Sequence, residues 1–328
     1  MDAAARIHRL TAAATKQQQS CADNPIPKLL RRARFGNEEG LPYRSRENWS
    51  AGVVGWSYSA RMNCFWRKMG GVLAGLMLIF GVMTEARAED AARPLVIGME
   101  LNYPPFEMAD ATGNPTGVGV DLARALCDYL RRPIDIQNMP FEGLIPALKT
   151  GRIDLILSSM TATDERRKSI DFSDPYLNTG LAILAKKTSA IQSIADVDKP
   201  GMIVVVKTGT TTADYARDHF KHATVLPLQQ DTACALEVVQ GKADAFLYDQ
   251  MSIYQFAKKH PDTTRGLLAP FQKESWAIGI RKGNVDLENQ VNAFLRDFKA
   301  RKGFDALGDK YLKEDKEAFK QMGFPFYF

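Results

Sequence analysis

Ile153-Asp154-Leu155-Ile156-Leu157, followed by Ser158-Ser159-Met160-Thr161-Ala162-Thr163-Asp164-Glu165-Arg166-Arg167-Lys168, is the stretch that decides the reading of this chain. Its first five residues form a short apolar run that suits a buried strand. The hydroxyl-rich segment after it leads into a helix start, with Thr161 or Thr163 as the cap and Asp164 and Glu165 in the first turn. A strand that runs through a polar turn into a helix is the unit of an α/β fold. The same turn places hydroxyls and backbone N–H groups just ahead of Arg166, whose planar guanidinium matches a carboxylate bidentately. An ordinary capped helix with solvated arginines is the alternative reading of these residues.

The pattern repeats outward from that unit. Strands are expected at Leu95 to Met99, Ile134 to Asn138, Ile203 to Val206, Thr224 to Pro227, Ala245 to Tyr248 and Trp276 to Ile280. Helices are expected at Asp121 to Leu130, Gly143 to Lys149, Thr212 to Phe220, Thr232 to Gln240, Gln250 to Lys258, Asp286 to Lys299 and Phe304 to Leu312. Alternation at this spacing predicts parallel sheets covered by helices, with ligands beyond the carboxyl ends of the strands. Leu181 to Ala185 and Phe271 to Ile278 read as crossovers bracketing a middle block. The chain is thus expected to build lobe 1 from 89–182 and 275–328 and lobe 2 from 183–274, with a two-strand hinge and a cleft between them.

The front end reads differently. A basic segment from Met62, the uncharged apolar run Met69 to Met83 and the small residues Ala86-Arg87-Ala88 have the order of a secretory signal peptide, 62–88. The apolar run is short for a membrane span; an uncleaved anchor is the alternative. Residues 1–61 are expected to be a non-native or disordered leader, with Met62 or Met69 the true start; a genuine basic leader is the alternative. Of the 43 basic and 38 acidic residues, 13 and 6 lie in 1–88, so the net charge of +5 belongs to the leader and the rest is slightly acidic. Nothing after residue 88 points to nucleic acid. Cys127 and Cys234, far apart in helical stretches, are expected to be unpaired, half-buried thiols. His219 and His222 lie three apart beside Asp218, a possible ligand spacing, but no Cys or Glu partner is nearby in sequence, so no metal is expected; no cofactor is expected either. Lys207-Thr208-Gly209 lacks the companion elements of penicillin-binding enzymes, and Gly117-Val118-Gly119 is not a dinucleotide fingerprint.

The groups after the strands form an ordered set: Glu100-Leu101-Asn102-Tyr103-Pro104-Pro105-Phe106-Glu107, then Phe141-Glu142-Gly143, Ser158 to Arg166, Lys207 to Thr212 and Tyr248-Asp249-Gln250. Over 93–313 this set resembles the amino-acid-binding periplasmic substrate-binding proteins of ABC importers, the bacterial extracellular solute-binding protein family 3. It is most similar to the glutamine-binding and the lysine/arginine/ornithine- and histidine-binding members. The resemblance implies the periplasmic-binding-protein-like type II fold and a monomer that hands a free L-amino acid to a membrane permease.

It also implies roles. Arg166 would hold the ligand α-carboxylate, with the N–H and hydroxyl of Thr161 and the N–H of Thr211. Asp249 would take the α-ammonium, helped by an oxygen of Ser159. Tyr103 and Phe141 would sandwich the aliphatic stem. Glu100, Ser158, Met160 and Lys207 complete the expected set. A unit charge pair at 4 Å is worth about 4 kcal/mol at an effective dielectric near 20, before desolvation, so opposite charges at the two ends read a zwitterion. Ser158 and Ser159 resemble the basic-amino-acid binders, whereas Lys207 resembles the glutamine binder. An amide would satisfy a Lys207–Glu100 pair, and an unpaired Glu100 would prefer a basic side chain. The ligand is therefore read as a polar amino acid, glutamine or a basic one. Two rivals stay open: a cyclohexadienyl or arogenate dehydratase on the same fold, although its Gly-Gly-Thr-Asn-Glu loop is replaced here by Thr208 to Thr212, and a ligand-sensing subunit acting through a separate receptor.

Overall fold

The structure, a computed structural model, describes residues 93–325. The expected leader and signal peptide lie outside the described residues. Strand β1 (Leu95–Met99) is followed by three short strands, β2 (Asn102–Tyr103), β3 (Glu107–Ala109) and β4 (Pro115–Thr116), and by helix α1 (Val118–Leu130). Next come β5 (Ile134–Asn138), α2 (Leu144–Thr150), β6 (Leu155–Ile156), α3 (Asp164–Ser169) and β7 (Ile170–Phe172). Strand β5 pairs with β1, and β1 with β6, all parallel, because the intervening helices carry the chain back to the same end.

The chain then runs into β8 (Leu177–Lys186) and builds a second sheet from β9 (Ile203–Lys207), β10 (Thr224–Leu228) and β11 (Ala245–Asp249). Helices α4 (Thr211–His219), α5 (Asp231–Val239) and α6 (Gln250–Lys259) alternate with those strands. It returns through β12 (Thr264–Trp276) to β13 (Gly279–Arg281) and ends in α7 (Val285–Ala300), α8 (Gly303–Tyr311) and α9 (Lys313–Gln321). The two five-stranded sheets have the orders β5-β1-β6-β13-β7 and β10-β9-β11-β8-β12.

Both sheets are mixed rather than parallel. The returning strand β13 runs antiparallel to β6 and β7, and β8 runs antiparallel to β11 and β12. A chain that leaves one lobe and comes back must traverse the junction in opposite directions, so its two crossings pair antiparallel. Those crossings are longer than the apolar runs suggested: β8 has 10 residues and β12 has 13. They pair from Thr264↔Lys186 to Trp276↔Leu177, with an irregularity between Leu267 and Gln272.

Other departures are local. The segment expected to be one strand, Trp276 to Ile280, is the end of β12 and the start of β13. The helix expected at Gly143 begins as a 3-10 turn over Phe141–Gly143. Helix α9 does not belong wholly to lobe 1 as expected for 275–328: Phe319 packs edge-on to Tyr254 of α6 in lobe 2, with ring centroids 5.4 Å apart. Cys127 and Cys234 are unpaired and fully, not half, buried. Among the described residues no helix is long and apolar enough to cross a membrane.

Side chains from both lobes share one apolar core, which runs from Ile97, Leu122 and Leu155 through Tyr103 and Trp276 to Phe246 and Val205. The junction is tightly packed. A Cβ on Gly180 of β8 would fall 2.4 Å from Pro270 Cβ and 3.0 Å from the Gln272 carbonyl oxygen. We therefore expect Gly180→Ala to lower the unfolding free energy by roughly 1–3 kcal/mol, seen as a lower urea midpoint at unchanged slope; an unchanged midpoint would contradict this packing.

Candidate functional site

The carboxyl ends of β1, β6, β9 and β11 open toward one another across the junction, and the candidate residues sit on the turns that follow them. After β6 the backbone turns sharply at Ser159, which adopts φ 50°. Thr163 caps α3, its Oγ1 accepting from the Arg166 N–H at 3.2 Å. The capped-helix reading holds, and the cap fixes the turn from which Arg166 projects into the cleft. Arg166 is 8 % exposed. Its guanidinium donates to the Thr161 carbonyl oxygen at 2.8 Å and, across the cleft, to the Gly209 carbonyl oxygen at 2.9 Å. Burial lowers its pKa, and the charges of Asp214 and Glu274 act in the opposite direction.

Gly209 makes that cross-lobe contact possible. It lies at φ +76°, and a Cβ there would meet the Glu142 Cβ of the opposite lobe at 3.1 Å. The same turn is closed by the Thr210 hydroxyl, which donates to the Lys207 carbonyl oxygen at 2.6 Å. Thr211 and Thr212 then open α4 with N–H groups that have no intrahelical partner.

On the opposite wall Asp249 ends β11 and caps α6, its Oδ1 accepting from the Ser252 N–H at 3.0 Å. Its Oδ2 is buried with no hydrogen-bond partner by bond geometry. Burial raises its pKa, opposed mainly by the Tyr103 hydroxyl beside it. Tyr103 belongs to an aromatic cluster, stacked on Phe106 and edge-on to Tyr248 and Trp276. The Phe141 ring faces two cations, Arg166 Cζ at 5.6 Å and Lys207 Nζ at 5.8 Å from its centroid.

Glu100, Tyr103, Phe141, Ser158, Ser159, Thr161, Arg166, Thr211 and Asp249 line a single pocket. Three expectations need correction. Met160 does not line the pocket: its side chain is buried in the lobe 1 core with Leu144, Leu148 and Phe172, since a residue between two turn positions that face the cleft points the other way. Lys207 is also behind the wall, 1 % exposed, and forms an ion pair with Glu100 across the cleft. The Ser159 and Thr161 hydroxyls are already committed. Ser159 donates to the buried Glu107 carboxylate at 2.9 Å, and Thr161 donates to Glu274 at 2.7 Å. The Ser159 carbonyl oxygen and the Thr161 N–H are what remains for a ligand, since the Thr161 carbonyl oxygen already accepts from Arg166 and from the Thr163 N–H. Ser158 Oγ accepts from the Glu100 N–H at 3.0 Å and ties the two turns together.

Leu181, Thr210, Thr212, Tyr248, Glu274 and Trp276 also line the pocket and were not expected from the sequence. Tyr248 and the threonines adjoin residues already singled out. Glu274 lies in a stretch read only as a crossover and Trp276 at the start of an expected strand, where a carboxylate and a large aromatic two residues apart were the missed signal.

Fold and cleft together define a two-lobed binding protein of the type II class. Residues 95–314 match the bacterial extracellular solute-binding proteins, family 3, and the chain belongs to that family. It is 31 % identical over 234 residues to an L-arginine-binding protein of Pseudomonas aeruginosa, covering 69 % of this chain and 90 % of the relative. It is 29 % identical over 244 residues to an ABC transporter glutamine-binding protein of Bacillus subtilis, covering 73 % and 82 %. Among solved structures it is similar to an ancestral amino-acid-binding protein described as a precursor of cyclohexadienyl dehydratase, at 35 % identity and a TM-score of 0.62, covering 66 % of this chain and 95 % of that one.

Asp231, buried at the start of α5, has its pKa pushed up to about 6: burial raises it most, Asp249 and Glu100 add to this, and Lys207 opposes it. A carboxyl raised in the folded state favours folding while protonated. That contribution is complete below about pH 4, the unfolded value, and is lost as pH rises through about 6. Asp231→Asn should therefore gain thermal stability relative to the parent between about pH 4 and 7. Paired melting curves across that range will show it; a constant offset would contradict it.

Proposed function

We propose that this protein captures a free, neutral polar L-amino acid in the periplasm and delivers it to the permease of an ABC importer. In this reading residues 62–88 direct export and are cleaved after Ala88, and the protein acts as a monomer. Lobe 1 is 89–182 and 275–312, lobe 2 is 183–274, and α9 leans on both.

The observation that supports it most is the placement of Arg166 and Asp249 in one buried cleft with opposite charges and no ion pair between them. The guanidinium and the N–H groups of Thr161 and Thr211 take the α-carboxylate. Asp249 Oδ2 and the Ser159 carbonyl oxygen take the α-ammonium. Tyr103 and Phe141 bound the space for the stem.

The side-chain preference follows from Lys207. A Glu100 without a partner would draw a guanidinium or ammonium. With Lys207 already upon it, a basic ligand brings a like charge toward a buried cation, whereas an amide offers both a donor and an acceptor to the pair. This favours glutamine-like ligands over arginine or lysine, although relatives of both kinds exist. The same pair weighs against the dehydratase reading, because it occupies Glu100, one of the two carboxylates, with Glu142, that would be candidates for the general acid.

A thermal-shift screen of the twenty amino acids with ornithine and citrulline tests the class, because binding to the native state alone raises the melting temperature. A neutral polar amino acid should give the largest shift; no shift with any of them would refute the reading. Arg166→Ala should weaken the best ligand at least a hundredfold by calorimetry, the loss of two charge-assisted hydrogen bonds at about 1.5–3 kcal/mol each. Lys207→Met should move preference at least tenfold from glutamine toward arginine, since a basic side chain then repairs the exposed Glu100 charge. An unchanged ratio would remove Lys207 from the specificity argument.

A further inference from the structure

One buried carboxyl group has no part in the roles above. Glu107 is 1 % exposed and does not line the pocket. It lies on β3 directly opposite Tyr103 of β2, so the two side chains stand on one face of that small sheet. The first turn of α1 lies directly upon it: a Cβ on Gly119 would fall 2.1 Å from Glu107 Oε1. The carboxyl group is thus fixed in place, and what it holds is Ser159. Ser159 Oγ sits 3.1 Å from Oε1 and 2.9 Å from Oε2 and donates to the carboxyl group. Burial raises the Glu107 pKa well above the usual carboxyl range, and the Ser159 bond opposes that. An amide of the same shape is therefore its conservative replacement.

Ser159 has a backbone that needs holding. Among the described residues, the positions other than glycine with positive φ are Arg131 at 55°, Ser159 at 50° and Lys302 at 58°. Arg131 closes α1 and Lys302 stands between α7 and α8, places where a left-handed residue is common. Ser159 instead lies in the turn after β6, two residues before Thr161. A Cβ disfavours this conformation, which persists only where surrounding contacts over-determine it, and such residues cluster at functional sites. The bond from the Ser159 hydroxyl to Glu107 is a contact of that kind. The carbonyl oxygen of the same residue is the one assigned above to the α-ammonium.

We infer that Glu107 is a positioning residue for the ammonium site: its carboxyl group, acting through the Ser159 hydroxyl, holds residue 159 in the left-handed conformation that presents the Ser159 carbonyl oxygen to the cleft. Glu107 itself touches no ligand. The inference rests on the reading of Asp249 and that carbonyl oxygen as the ammonium site. The first half of its test contains no ligand, so failure of that reading and failure of the tether appear in different experiments.

That first half compares crystal structures of the ligand-free parent and its variants. Glu107→Leu removes the acceptor, and Ser159→Ala cuts the same bond from the other side. Residue 159 should leave positive φ in both and keep it in Glu107→Gln, whose amide oxygen still accepts from the hydroxyl. The second half is calorimetry with the amino acid that gives the largest thermal shift. Glu107→Leu should weaken it about tenfold or more, the loss of one hydrogen bond to a charged group, and Glu107→Gln should stay within about threefold of the parent. Glycine adopts positive φ without a tether. In a Ser159→Gly background, Glu107→Leu should therefore cost less than about threefold, a dependence that general loosening of the core would not show. The tether is overturned if Glu107→Leu or Ser159→Ala keeps positive φ at residue 159. It is equally overturned if Glu107→Gln loses as much affinity as Glu107→Leu, or if the Glu107→Leu loss is the same with Ser159→Gly as without it.

Discussion

Two opposite charges are buried in the same cleft without touching each other, and the rest of the site follows from that constraint. An isolated buried charge is costly and must be compensated by hydrogen bonds or by a partner. Arg166 has two carbonyl oxygens, one from each lobe, and Asp249 has a helix N–H and a neighbouring tyrosine hydroxyl. Neither arrangement neutralises the charge. A small molecule with a carboxylate at one end and an ammonium at the other would supply what both lack, which is why we propose a free amino acid as the ligand rather than a simple anion or cation.

The cleft sorts its remaining ionisable groups by a second rule: what is not meant for the ligand is paired internally. Lys207 is matched with Glu100, Ser159 with Glu107, and the Thr161 and Thr211 hydroxyls with Glu274. Two of these contacts cross from one lobe to the other, as does the Arg166 bond to Gly209. Closure is thus written into the protein's own hydrogen bonds as well as into those a ligand adds, and the open–closed balance depends on both. Paired antiparallel β8 and β12 provide the axis on which these contacts form or break.

Much of this was legible in the residue order. The apolar run Leu95 to Met99 coincides with a strand because central strands of covered sheets are buried on both faces, and the alternating segment Ile134 to Asn138 is the partly buried edge strand beside it. Arg166, Thr211 and Asp249 each follow a recognisable strand at its carboxyl end, and the roles expected of them came from the resemblance to a known family. What could not be read depends on pairing between distant segments. The full lengths of β8 and β12 come from their mutual register, which neither segment signals alone. Strands β2, β3 and β4 are two or three residues each, too short for a period. Glu274 lay inside a stretch read only as a crossover, and only the folding of β12 against β8 brings it to Thr161 and Thr211. Met160 was placed by its neighbours in sequence, and side-chain direction put it in the core instead.

The central claim is that both ends of one zwitterion are read at once. Calorimetry on the purified protein should compare the amino acid it binds best with two analogues, one lacking the α-ammonium and one with the α-carboxylate converted to the methyl ester. The account predicts that each analogue binds at least a hundredfold more weakly than the parent amino acid, since each leaves one buried charge uncompensated. Retention of parent-like affinity by either analogue would contradict it.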